Sequence, residues 1–360
     1  MSGLYEVTIE VMQRCPNQCI YCSSWSSPGK QELLEFNTIC QVVDDAAELG
    51  AKLINLSGGE PLLRQDIVAI ADRIHSKGMK IRLYSSGLAY DGTYHSLPLD
   101  LLQSLKGKID YLIFNYESSN PELYGAIMGT KADNLPLLEK TLSRAISVGI
   151  SVEAHLVPMK CNFRQIPNTL ERLYDLGVEK VSLLRLVPQG RTIENAEMTI
   201  LSDDEEEELK AIQQCMSEKY GKKLRLGKPY RQGKYSSCMT GTIRLAVRYD
   251  GYVFPCGAFK DGVEEYDGCK PDNVKDKRLK DIYANSAYIM RVREDLEKYY
   301  EVSVEDPCYG QYYRAKISGV EREKTCNGRG AAFSVERKAL MAASHLCLKR
   351  RKQKKSPIER

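Results

Sequence analysis

Three cysteines near the start of the chain have a spacing that identifies a chemistry. Cys15, Cys19 and Cys22 form a C-x3-C-x2-C pattern. Structural zinc sites take four protein ligands and disulfides pair thiols two by two, so neither accounts well for three. A cubane [4Fe–4S] cluster held through three of its irons fits the count, because its fourth iron stays open. A partial zinc site and three unrelated thiols are the alternatives.

The composition is that of a globular protein rather than a secreted or membrane protein. The chain has 360 residues, enough for one large domain and a smaller one. Its first residues lack the basic start and apolar core of a signal peptide, and no apolar run is long enough to span a bilayer. We therefore expect a cytoplasmic protein, in which the 12 cysteines indicate metal binding or catalysis rather than disulfides.

Six short apolar segments alternate with amphipathic helical stretches in the first half of the chain. Such βα repeats predict a parallel sheet, here an α/β fold with a partial (β/α)6 barrel and a smaller C-terminal α+β extension. In such barrels the active site lies at the C-terminal ends of the strands. The predicted strands cover 5–12, 52–58, 80–87, 110–117, 151–158 and 180–188.

Polar motifs follow these strands where that rule places an active site. The cysteine motif follows the first strand, "SGGEP" the second and "YSSG" the third, while "NYES" closes the fourth. The cysteine spacing, the aromatic Tyr21 before Cys22 and the "GGEP" motif together resemble the radical S-adenosylmethionine (radical SAM) superfamily over roughly residues 5–191. The resemblance implies that the open iron binds S-adenosylmethionine, which is cleaved to a 5′-deoxyadenosyl radical that abstracts hydrogen from a substrate.

The resemblance also implies cofactor contacts from the "GGEP" turn and from the first motif. Gly58 and Gly59 lack side chains, so their backbone can approach the cofactor closely. Glu60 carries an acceptor that suits the cofactor's ammonium group. Tyr21 is expected beside the same cofactor.

Three further cofactor contacts are implied at later strand ends, two of them at positions that depart from the family pattern. Ser86 stands in "SSG" where relatives often have Asn, and Asn115 stands in "NYE" where relatives often have Ser. Capping of a strand end is the alternative role for both. Leu186, at the end of the sixth strand, matches an apolar position that lies against adenine in relatives.

A second set of cysteines lies in the C-terminal part. Cys238 and Cys256 flank a predicted hairpin in a C-x12-G-x4-C pattern, which resembles the opening of the SPASM and twitch extensions of radical SAM enzymes. With Cys308 and Cys326 they are the expected ligands of one auxiliary [4Fe–4S] cluster, and Cys269 competes for a place. The same four cysteines could instead bind zinc. The expected divisions are the barrel at 1–200, a linking helix at 201–230, the auxiliary domain at 231–332 and a helical, basic tail at 333–360.

Three functions fit these features. The favoured interpretation is a radical SAM enzyme acting on a small molecule such as a sugar, aminocyclitol or nucleotide, because only four residues precede Tyr5 and leave no room for a peptide-recognition domain. Arg185, Arg191, Lys228 and Arg231 could face an anionic substrate. The alternatives are a maturase of ribosomally made peptides and a non-catalytic iron–sulfur or zinc protein whose basic tail binds nucleic acid. The resemblance further implies a flavodoxin- or ferredoxin-type electron donor.

Overall fold

A nine-stranded, mostly parallel sheet forms the centre of the computed structural model. The model describes residues 3–227, 238–261, 265–302, 308–310 and 313. Two further strands, which are not part of this sheet, form a separate antiparallel pair. Within the described residues, the strands are β1 Glu6–Glu10, β2 Leu53–Ser57, β3 Lys80–Ser85, β4 Leu88–Tyr90, β5 Tyr94–Ser96, β6 Tyr111–Asn115, β7 Val152–Leu156, β8 Lys180–Leu183, β9 Leu224–Leu226, β10 Arg244–Val247 and β11 Val253–Phe254.

The order of the sheet confirms the predicted α/β fold and partial barrel. The strands run β11-β10-β1-β2-β3-β6-β7-β8-β9, and all neighbours are parallel except β10 and β11. The six predicted strands are β1, β2, β3, β6, β7 and β8. The sixth ends at Leu183 rather than 188, so Leu186 lies beyond the strand.

Helices connect the parallel strands of the sheet, as parallel strands require a crossover, and several of them pack on it. Those that follow the barrel strands present apolar stripes inward, for example Ile39, Val42 and Val43 of the first helix. The helices are α1 Phe36–Glu48, α2 Ile67–Ser76, α3 Leu99–Leu105, α4 Pro121–Met128, α5 Asn134–Ser147, α6 Ile166–Asp175, α7 Arg191–Glu194, α8 Ala196–Thr199, α9 Asp203–Tyr220, α10 Leu279–Asn285 and α11 Ala287–Val302. Among the described helices, none combines the length and apolar character needed to cross a bilayer.

The two faces of the barrel strands differ in chemistry. Val7 and Ile9 of β1 are fully buried and belong to the hydrophobic core. Thr8 alternates with them, and the Asn55 Nδ2 amide donates to its hydroxyl at 3.3 Å and to Glu6 at 2.7 Å. Since successive side chains of a strand point to opposite faces, one face of the barrel sheet carries polar side chains that hydrogen-bond across strands.

The C-terminal part is joined to the barrel through the sheet itself. β10 lies parallel to β1, with Arg244 opposite Glu6 and Val247 opposite Ile9. This pairing was not predicted, because a four-residue strand gives too short a pattern to identify its neighbour. Residues of the extension are thereby placed beside the strand that leads into the first cysteine motif.

The chain between barrel and extension contains a helix, α9, that covers 203–220 of the 201–230 predicted as a linking helix. α9 begins with a capping box in which the Ser202 side chain accepts from the Glu205 backbone and Glu205 accepts from the Ser202 backbone. Four acidic residues in the first turn favour the same start, because negative charge stabilises a helix N-terminus. The helix ends before Gly221, and β9 then returns the chain to the edge of the barrel sheet beside β8.

Candidate cofactor site and auxiliary cysteine site

The three cysteines of the first motif lie together on the loop that follows β1. Burial raises the pKa of the Cys15 thiol, and the neighbouring Cys19 raises it further; burial and Cys22 act in the same way on the pKa of Cys19. These effects place the three thiols within electrostatic reach of one another, while the described residues contain no group of three donors already gathered around a single metal ion. Metal ligation needs thiolates, so cluster binding at this loop must be coupled to proton release.

The loop is held by the segment that follows β8. Arg191 donates from Nε to the Cys19 carbonyl and from Nη2 to the Ser26 carbonyl, both at 2.8 Å, and its own backbone N–H donates to the Cys22 carbonyl at 3.2 Å. The expectation that Arg191 faces an anionic substrate is therefore replaced by a role in fixing the cysteine loop. Of the other proposed basic residues, Lys228 and Arg231 lie outside the described residues.

The two glycines of the "GGEP" turn pack directly against the cysteine loop. Gly58 has a φ of +127°, which side chains rarely adopt, and a Cβ there would overlap the carbonyl oxygen of Met12. A Cβ at Gly59 would overlap the carbonyl oxygen of Arg14. Both glycines are needed for this close backbone approach. Their contact with S-adenosylmethionine stays a prediction.

Glu60 is a fully buried carboxylate whose oxygens are already supplied with donors. Oε1 accepts from the Leu62 backbone at 3.1 Å and from Ser85 Oγ at 2.9 Å, while Oε2 accepts from the backbone and hydroxyl of Ser86, each at 2.6 Å. Burial raises its pKa, and these hydrogen bonds work against the rise. Ser86 and Glu60 thus tie the ends of β2 and β3 together, and the predicted cofactor contacts of both residues stay predictions.

Tyr21 takes part in a buried network that includes a carboxylate missed by the sequence analysis. Its hydroxyl donates to Glu117 Oε1 at 2.6 Å and accepts from Asn115 Nδ2 at 3.2 Å. The second oxygen of Glu117 accepts from the Val157 backbone at 2.7 Å, and burial raises the Glu117 pKa to about 7. The sequence signal that could have identified Glu117 was its place in the "NYES" motif. The cofactor contacts predicted for Tyr21, Asn115 and the half-buried Leu186 are untested.

In the extension, three of the four expected auxiliary ligands come together. Hydrogen bonding with Cys308 lowers the pKa of the Cys238 thiol to about 6, and Cys238 in turn raises the pKa of Cys256, for which burial is the main cause. A Cβ at Gly310 would lie 3.4 Å from Cys256 Sγ, which places the segment of Cys308 beside it. Cys326 lies outside the described residues. Cys269 is half-buried in a turn with Tyr266.

The chemistry of the cysteine residues fits the groups proposed for them. Three neighbouring thiols on one loop can hold three irons of a cubane, and the loop offers no fourth cysteine between Cys15 and Cys22. Cys238, Cys256 and Cys308, which lie on separate segments, can begin the ligation of a second cluster. A thiolate-rich set of this kind suits iron–sulfur clusters and zinc.

Comparison with known proteins identifies both parts of the chain. The model of the radical SAM superfamily matches residues 9–201, and that of the SPASM iron–sulfur cluster-binding domain matches residues 238–309. The chain is 27% identical to a PqqA peptide cyclase of Methylobacterium nodulans over 287 residues, covering 77% of this chain and 72% of the relative. It is 24% identical to a probable GTP 3′,8-cyclase of Methanococcus maripaludis over 315 residues, covering 83% and 93%.

A solved structure shares the fold. Streptococcus suis SuiB bound to S-adenosylmethionine superposes with a TM-score of 0.64 at 16% identity, covering 81% of this chain and 68% of SuiB. SuiB bound to its precursor peptide SuiA gives the same TM-score. The chain therefore belongs to the radical SAM superfamily, as an enzyme that uses a [4Fe–4S] cluster and S-adenosylmethionine and carries an auxiliary iron–sulfur cluster in a SPASM extension.

Proposed function

We propose that this radical SAM enzyme modifies a ribosomally synthesised peptide. The peptide cyclase relative supports this function, and the fold is shared with a protein that was solved with its precursor peptide. This proposal reverses the order favoured from the sequence, where the small molecule came first. When bound, the reduced cluster and S-adenosylmethionine supply the radical that abstracts hydrogen, while this chain's residues hold and orient the substrate.

The observation that carries the proposal is a pair of buried acceptor oxygens beside the cysteine loop. Glu10, at the C-terminal end of β1, accepts from Ser24 Oγ at 2.7 Å and from Lys260 through Oε1. Its Oε2 is buried without a partner among the described residues, as is Oε1 of Gln189. Buried polar atoms are normally satisfied. In the proposed complex, N–H donors of the peptide backbone pair with these two oxygens.

The charged residues near the cysteine loop favour a peptide over a nucleoside triphosphate as the substrate. Arg191 is committed to backbone carbonyls of the cysteine loop, Lys260 to Glu10, and Arg64 to Asp66 and to two further carbonyls. A triphosphate presents acceptors and negative charge, so it would have to displace these partners and approach the Glu10 carboxylate. Unfavourable pairing of that kind is costly in a buried site.

A nucleotide or another small molecule remains the second candidate function. The probable GTP 3′,8-cyclase is matched over 93% of its length, more of its chain than the peptide cyclase shows. GTP is therefore the small-molecule ligand to test beside a peptide. For either substrate, a flavodoxin- or ferredoxin-type protein is the proposed electron donor.

The two functions can be separated by the formation of 5′-deoxyadenosine. The reconstituted, reduced enzyme is incubated with S-adenosylmethionine and a low-molecular-mass extract of host cells, which is either left intact or digested with a broad protease that is then removed. A peptide substrate predicts stimulation that digestion abolishes. Stimulation that survives digestion, or that GTP alone reproduces, would contradict the peptide proposal and support the small molecule.

A further inference from the structure

Two consecutive residues of the cysteine loop meet two consecutive residues of the extension. Lys260 Nζ donates to Ser24 Oγ at 2.7 Å and pairs with Glu10. Trp25 Nε1 donates to Asp261 Oδ1 at 2.8 Å. The second oxygen of Asp261 accepts from the backbone N–H of Gly190 at 2.7 Å. One extension segment thus binds the cysteine loop and also the segment after β8 that holds that loop.

Trp25 has a backbone conformation that needs such support. Its φ is +53°, in the left-handed region that bulky residues rarely occupy. Residues persist in such conformations only where the surrounding structure over-determines them. The Asp261 carboxylate fixes the indole, and the Gln13 side chain donates to the carbonyl of the preceding Ser24 at 2.9 Å. The conformation of the loop just after Cys22 therefore depends on a residue of the extension.

Both sides of this contact lie a few residues from a cluster ligand. Ser24 follows Cys22 by two positions, and Lys260 follows Cys256 by four. Gly190, which Asp261 also holds, packs so closely on Cys22 that a Cβ would overlap its carbonyl oxygen. The extension segment is itself anchored, because Arg248 donates to the Lys260 carbonyl at 2.5 Å and pairs with Asp250 at 2.6 Å.

We propose that Lys260 and Asp261 are positioning residues for the cysteine loop, and that through them the extension sets the geometry of the first cluster and its cofactor. The contact acts on Ser24 and Trp25, not on the cofactor itself. Partners that orient ligand-bearing loops typically change metal affinity or activity by about 10- to 100-fold when they are removed. The proposal holds for either candidate substrate, so it is independent of the proposed function.

The test compares Asp261→Ala and the isosteric Asp261→Asn with a matched control, Asp272→Ala. Asp272 is a largely buried carboxylate of the same extension that pairs with Lys277 instead. The first readout uses the protein without clusters: the fluorescence of Trp25, the single tryptophan of the chain, and the hydrogen exchange of the Gly190 amide. The second readout is the affinity of the reconstituted enzyme for S-adenosylmethionine and the reduction potential of its first cluster.

We expect Asp261→Ala to expose Trp25 to quenchers, to speed exchange at Gly190 by about tenfold or more, and to weaken cofactor affinity by about 10- to 100-fold. Asp261→Asn should show smaller changes, because its amide oxygen can still accept from one of the two donors. Asp272→Ala should leave all four readouts near those of the unchanged protein. Unchanged fluorescence, exchange and affinity in Asp261→Ala, or equal changes in Asp272→Ala, would overturn the proposal.

Discussion

The proposed cofactor site takes its three cysteines from one segment of eight residues, Cys15 to Cys22, whereas the proposed auxiliary site collects Cys238, Cys256 and Cys308 from separate segments. The first arrangement needs only a strand end and a loop that is braced by its surroundings. The second exists only when the hairpin and the segment of Cys308 are folded together. The difference predicts that the two sites respond differently to the loss of their ligands.

The largest expected effect comes from removing the cysteines of the first site. Replacing Cys15, Cys19 and Cys22 together by Ala should remove about four of about eight irons and all cleavage of S-adenosylmethionine, because thiolates hold the irons. Replacing Cys238 and Cys256 by Ala should remove the other four and abolish product, while some cleavage of the cofactor remains. Iron and sulfide analysis and 5′-deoxyadenosine assays under dithionite measure both. Cofactor cleavage by the triple variant would refute the assignment.

Single substitutions sharpen the description of the auxiliary site. Cys326→Ala should destabilise the auxiliary cluster and lower its iron content, whereas Cys269→Ala should keep it, since Cys326 is the expected fourth ligand. Electron paramagnetic resonance of the reduced cluster reports the difference, with the first cluster as an internal reference. The reverse outcome would make Cys269 the ligand and reassign the fourth position of the site.

A smaller effect, on the pH dependence of the free energy of unfolding, is expected from Glu117 beside the first site. The raised pKa fixes its direction. Burial raises the Glu117 pKa to about 7 from 4.5, so the folded protein binds a proton more tightly than the unfolded chain. The resulting stability is present at low pH and is lost as the pH rises through about 7, by up to about 3 kcal/mol. Urea unfolding of the cluster-free protein, followed from about pH 4.5 to above pH 7, measures this change in the free energy of unfolding.

One variant at Glu117 and a matched control at a second carboxylate, Glu139, test this assignment. Glu117→Gln should flatten the pH dependence in this range. Glu139→Gln should leave it in place, because Arg172 and Tyr116 hold the Glu139 pKa below its usual value. An unchanged slope in Glu117→Gln would assign the pH dependence to other groups.

The barrel and the first site were accessible to sequence reasoning because their signals are local. The six strands were identified from apolar runs, and the cysteine motif from its spacing over eight residues. Glycines 58 and 59 were also identified, but the structure assigns their small size to packing against Met12 and Arg14 rather than to the cofactor alone. The sequence showed which residues belong to the site more readily than it showed what those residues contact.

Contacts between distant segments could not be predicted from the sequence. The pairing of β10 with β1, the Trp25–Asp261 hydrogen bond and the Lys260–Glu10 pair each join residues more than 230 positions apart. The short strands and single polar residues involved carry no periodic pattern that would reveal a partner. Arg191 illustrates the same limit: its charge suggested a substrate contact, and the structure directs its donors to backbone carbonyls.

The most direct test of two differently built sites is Mössbauer spectroscopy of the enzyme reconstituted with iron-57, before and after S-adenosylmethionine is added. A cluster held by three cysteines has one iron that lacks a protein thiolate, and the cofactor should change the spectrum of that iron alone, about one of eight. The auxiliary cluster should not respond. A spectrum unchanged by the cofactor, or iron for only one cluster with zinc at the second site, would contradict the account.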